Sequence, residues 1–126
     1  MTIQEIRHAF SGRLMGGLKM RTAVCETLLL LPEDIVKYVT RNVWFISSPD
    51  DAWAFTFRGS EIAKRHLVVL TEELFSQAPE DINYTIVHEI GHVMLNHKNS
   101  IGVEQTQTEI NKQEKEADEF ARRYLG

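Results

Sequence analysis

The segment His88-Glu89-Ile90-Gly91-His92 sets two imidazoles and a carboxylate in the pattern H-E-x-x-H. On an α-helix, residues four apart are separated by about 40° of rotation and about 6 Å of rise, so His88 and His92 can offer their rings to one ion. Glu89 lies beside them and is not needed as a ligand. In sites of this pattern the glutamate takes a proton from the attacking water and passes it to the leaving amine. Imidazole nitrogen suits zinc, and a catalytic zinc keeps one position free for the reacting water.

That chemistry requires a helix, and the surrounding residues supply one. Ile82, Ile86, Ile90, Val93 and Met94 recur at helical spacing. Pro79 opens the run, with Glu80 and Asp81 placed against the positive end of the helix dipole, and the helix is expected to end around Asn96–Lys98. His88, Glu89 and His92 then point away from the isoleucine stripe, toward a surface or cleft.

A third protein ligand is needed downstream. His97 lies five residues past His92, about 140° round the helix, on the side of Ile86 and Ile90. It reads as a histidine at the helix end, where a partial positive charge suits the dipole. The extended metzincin spacing requires glycine at Leu95 and histidine at Lys98, and neither is present. A last helix is expected from about Glu104 to Tyr124, after a connection at 99–103. Ile110, Ala117, Ala121 and Leu125 form its inward stripe. Glu114 falls on that stripe, whereas Glu116 and Glu119 fall on the opposite side. A carboxylate on an apolar stripe is costly unless something compensates it, and a metal ion does so. Glu114 is therefore the expected third ligand. Asp118, one turn further on, is placed to accept the free ring N–H of a ligand histidine. The alternative for Glu114 is an ion pair with Lys112, Lys115 or Arg122 at the edge of the stripe.

The rest of the chain must position these two helices. Residues 1–31 read as helical, with Ile3, Ile6, Phe10 and Leu14 at three-to-four spacing and a break near Gly16-Gly17. A short helix opens at Pro32, with Ile35, Val36 and Val39 on its apolar side. Val43–Ser47, Trp53–Phe57 and His66–Leu70 are rich in β-branched and aromatic residues. Turn chemistry at 48–51 and 58–60 separates them, which predicts three strands of a small sheet. Helices, then strands, then helices indicate an α+β architecture.

At 126 residues, with 43% hydrophobic and 25% charged residues, the chain has the composition of one globular domain rather than of a disordered tail. The net charge of −4 argues against a nucleic-acid coat. Arg7, Arg13, Lys19 and Arg21 read instead as a solvated helix face. The most apolar run, Leu28–Leu31, is four residues long, is closed by Pro32 and falls far short of the roughly 20 residues of a membrane span. With Cys25 the only cysteine and no signal-peptide pattern at the N-terminus, a reducing, cytoplasmic location is the expectation.

His88-Glu89-Ile90-Gly91-His92, followed by Glu114-Lys115-Glu116-Ala117-Asp118-Glu119-Phe120-Ala121, resembles the ImmA/IrrE-like small zinc metallopeptidases. Their usual signature is H-E-[LI]-G-H, a short loop, then E-x-x-A-[ND]-x-F-A. The resemblance extends over roughly residues 35–126, taking in Val93-Met94-Leu95 and the preceding strands. It implies a minimal zincin-like fold in which a small sheet packs on the two motif helices, with residues 1–31 as an N-terminal addition to a core over 32–126. By position, His88, His92 and Glu114 would hold zinc in the gluzincin manner and Glu89 would be the general base. It further implies cytoplasmic action on a protein substrate, with transcriptional repressors among the family's targets. One departure stands out: the family usually continues after F-A with A-x-x-L-L-x-P, where this chain has Arg122-Arg123-Tyr124-Leu125-Gly126. His66, Tyr84, Tyr124 and the arginines are all conceivable partners for the oxyanion, and the sequence assigns none of them. The competing function is a zincin-like module that binds a partner protein without cleaving it.

Overall fold

A computed structural model describes residues 1–48, 66–95 and 106–126. The expected strand Trp53–Phe57, the turn at 58–60, the connection at 99–103 and His97 lie outside these residues. Helix α1 (Ile3–Phe10) starts at a capping box, in which the Thr2 hydroxyl accepts the Glu5 N–H and the Glu5 carboxylate accepts the Thr2 N–H. It stops at Ser11 and Gly12, whose φ angles of 51° and 88° lie in the left-handed region that ends helices.

Leu14 does not continue the helical stripe; with Met15 it forms a two-residue strand, β1 (Leu14–Met15). The Phe45 N–H donates to the Arg13 carbonyl at 2.9 Å, and Leu14 pairs with Phe45 in the ladder. Pairing with a neighbouring strand has overridden a local helical period.

Helix α2 (Leu18–Leu28) buries Met20, Val24, Cys25, Thr27 and Leu28. Helix α3 (Glu33–Asn42) follows Pro32 and buries Ile35, Val36 and Val39, the apolar side read from the sequence. Strands β2 (Val43–Ser48) and β3 (His66–Thr71) pair in parallel, from Val43 with His66 through Ser48 with Thr71. The described sheet has the order β1-β2-β3 and is parallel throughout. Phe10 and Phe45 meet edge-to-face at 5.8 Å in the centre of the core, both fully buried. A single 3-10 turn over Glu72–Ser76 leads toward α4 (Pro79–Met94), which ends slightly before the expected limit. Helix α5 (Gln107–Leu125) is capped by Thr106, whose hydroxyl accepts the Glu109 N–H at 3.1 Å. Five helices and a three-stranded sheet over the described residues make the architecture α+β. None of these helices is long and apolar enough to cross a membrane.

Two contacts fix α4 between its neighbours. On one side Ile86, Val87 and Ile90 are fully buried in the core, and the buried Thr27 hydroxyl of α2 donates to Asn83 Oδ1 at 2.9 Å. On the other side α5 comes close, because Ala117 and Ala121 are its buried residues and Gly91 faces Phe120. A Cβ on Gly91 would stand 3.1 Å from Phe120 Cβ, tighter than ordinary van der Waals contact. Ile110 is 37% exposed, so the inward face of α5 is narrower than the stripe drawn from the sequence. Gly91→Val is expected to destabilise the fold by about 1–3 kcal/mol through overpacking, against a helix-propensity gain of only a few tenths of a kcal/mol. Chemical denaturation checks this, and an unchanged or raised midpoint would contradict the close approach.

Candidate metal centre

Residues 84, 88 and 92 occupy successive turns of one α4 face, and that face meets α5. The His88 and His92 rings lie 4.9 Å apart, inclined at 36°. Glu114 reaches both of them: Oε2 is 3.1 Å from His88 Nε2, and Oε1 is 3.2 Å from His92 Nε2. The cleft expected on the sequence is therefore the seam between α4 and α5, and it is deep enough that only 5% of His92 is exposed. Glu89 belongs to the same cluster. One donor atom from each of His88, Glu89 and His92 lies within 4.8 Å of the other two.

The donor set can be tested against an ion. His88 Nε2 is buried and makes no hydrogen bond, although Glu114 Oε2 is only 3.1 Å away. The carboxylate oxygen is thus close but off the line an N–H would need. An orphaned buried nitrogen costs about 1–3 kcal/mol, so the arrangement calls for a partner that accepts electron pairs from both groups. Donor atoms bound to one tetrahedral zinc at about 2.0–2.1 Å stand about 3.3 Å apart, close to the 3.1 and 3.2 Å spacings seen here. Two imidazoles and a carboxylate are also a donor set that zinc takes. The residues fit a divalent ion.

Electrostatics separate the roles of the two glutamates. Burial pushes the Glu89 carboxyl above the ordinary range, with a smaller opposing pull from His88 and a further push from Glu114. A carboxylate raised in this way is a better proton acceptor near neutral pH than a solvated one. Glu114, with its side chain 53% exposed, approaches the histidines from the rim.

Asp118 takes a position that the sequence did not indicate. Its Oδ1 lies 3.9 Å from His88 Nε2, the nitrogen that also faces Glu114, and it accepts a hydrogen bond from the Tyr84 hydroxyl. That bond, more than burial, raises the Tyr84 phenol above its usual pKa. Sequence reasoning named Tyr84 only as one of several conceivable oxyanion partners and missed its pairing with Asp118. The signal was present in the spacing, since Tyr84 precedes His88 by one turn as Asp118 follows Glu114 by one turn. Of the other oxyanion candidates, His66 meets the Tyr38 hydroxyl at 3.2 Å and Tyr124 packs edge-on against Phe120 at 4.9 Å. Glu116 is half-buried rather than fully solvated.

This geometry predicts about one divalent ion per chain in the purified protein. His88→Ala and Glu114→Ala are expected to lose the ion, and Glu119→Ala, on the exposed side of α5, to keep it. Elemental analysis after dialysis reads the difference, and full occupancy in Glu114→Ala would remove Glu114 from the site.

Comparison with known proteins agrees with a hydrolytic role. The sequence model of the family described as Peptidase U49 matches residues 33–125, about three quarters of the chain, from the start of α3 to the end of α5. No curated protein and no solved structure matches the chain. The matched span carries both the His88-Glu89-His92 cluster and Glu114, and the chain belongs to the Peptidase U49 family, which makes it a peptidase.

Proposed function

We propose that the chain is a zinc-dependent endopeptidase of the H-E-x-x-H type, zincin-like in construction and related in mechanism to the ImmA/IrrE-like enzymes. The observation that carries this reading is the single carboxylate of Glu114 set within 3.2 Å of both histidine Nε2 atoms. His88, His92 and Glu114 would hold the ion. When bound, zinc supplies a Lewis acid that polarises the scissile carbonyl and makes a nearby water more acidic.

The chain's own groups do the rest. Glu89, next to His88 and with its carboxyl pKa raised by burial, takes a proton from the attacking water as the oxygen bonds to the carbonyl carbon. The same proton goes to the amine nitrogen as the C–N bond breaks, leaving a carboxylic acid and an amine, which exchange the remaining water proton to become a carboxylate and an ammonium. An extended protein or peptide substrate would lie along a sheet edge as an added strand, with backbone hydrogen bonds giving affinity. The resemblance to ImmA/IrrE-like enzymes makes a cytoplasmic transcriptional repressor the substrate class to assay first.

Glu89→Gln keeps the shape of the side chain and removes its basicity. It is expected to retain the ion and to lower the hydrolysis rate by about 10²–10⁴-fold. Hydrolysis of candidate repressors, followed by mass spectrometry, checks this. Equal behaviour of the wild type and Glu89→Gln in every cleavage assay would favour the non-catalytic binding module instead.

A further inference from the structure

Tyr84 does more than fill space beside the site. Its ring lies 5.9 Å from that of His88, tilted by 42°, and its hydroxyl donates to Asp118 Oδ1. That same oxygen is the one 3.9 Å from His88 Nε2. Asp118 is thus on the ligand side of His88, one turn beyond Glu114 on α5. Its side chain is 41% exposed, so packing alone does not fix the carboxylate. A shift of about half an ångström would bring Oδ1 to the spacing of two donors on one zinc. With His88, His92, Glu114 and Asp118 all bound, the ion would have four protein ligands, the closed arrangement of structural zinc sites.

We propose that Tyr84 is a positioning residue that holds Asp118 out of the ligand set and so keeps the fourth coordination position open. The proposal rests on the metallopeptidase reading above. A hydroxyl bonded to a carboxylate is a charge-assisted donor, roughly twice as strong as a neutral one. It occupies the oxygen that would otherwise turn toward the ion. Tyr84 acts through Asp118, and both helices contribute: α4 carries the restraint and α5 carries the group restrained.

Cobalt(II), a spectroscopic stand-in for zinc, tests this without a substrate. It would be titrated into the wild type, Tyr84→Phe, and Tyr84→Phe combined with Asp118→Asn, reading affinity and visible absorption together. Tyr84→Phe is expected to bind cobalt about ten-fold tighter, the scale of effect known for groups that support metal ligands, with an altered absorption spectrum as Asp118 enters. The added Asp118→Asn should return both affinity and spectrum to those of the wild type. A Tyr84→Phe protein with wild-type affinity and spectrum overturns the proposal and leaves the metallopeptidase reading standing. So does a change that Asp118→Asn fails to reverse. No cobalt uptake by the wild type overturns both.

Discussion

The site exists only because α5 lies close enough to α4 for one carboxylate to reach two imidazoles. His88 and His92 are brought together by helical geometry alone, but Glu114 is twenty-two residues beyond His92 and must be delivered by packing. Gly91, inside the H-E-x-x-H segment, leaves room for Phe120, and the two alanines of α5 remove the bulk that would hold the helices apart. Motif and packing are thus the same residues. A glycine that looks like a gap between Ile90 and His92 leaves the room in which His88, His92 and Glu114 meet.

The remainder of the fold holds α4 still from behind. Ile86, Val87 and Ile90 are buried against the core, and Thr27 of α2 bonds Asn83 one turn before the motif begins. Phe10 and Phe45 belong to the same buried cluster as Val24 and Leu28 of α2 and Ile86 and Ile90 of α4. A helix buried on two sides has few ways to move. That rigidity suits a cluster whose donor atoms must stay within a few tenths of an ångström of fixed spacings. The cluster in turn carries a cost, since a buried Glu89 and an orphaned His88 nitrogen both oppose folding. An ion that bound the folded chain and not the unfolded one would offset that cost.

Much of this was legible in the residues because both motif helices are strongly periodic. Pro79 and the isoleucine stripe marked the first, the stripe of Ala117, Ala121 and Leu125 marked the second, and helical spacing put Glu114 rather than Glu119 on the side that meets α4. That face proved narrower than drawn, for Ile110 is exposed and the Glu114 side chain is itself 53% exposed, so the cost of burying a carboxylate is not what sets Glu114 there. The illegible parts depend on contacts between distant segments. Leu14 fits a helical period, yet pairing with Phe45 makes it a strand. Nothing in Val43–Ser47 or His66–Leu70 declares that the strands run parallel. Spacing could bring Tyr84 and Asp118 to the same seam, but that the hydroxyl meets Oδ1, the oxygen nearer His88 Nε2, is a rotamer choice that spacing cannot express.

The most direct measurement is anomalous diffraction at the zinc edge from crystals of the zinc-loaded protein. One peak should appear in the seam between α4 and α5, within bonding distance of His88 Nε2, His92 Nε2 and a Glu114 oxygen. A peak held without Glu114, or no peak between the two histidines, would contradict the metal centre on which the proposed chemistry stands.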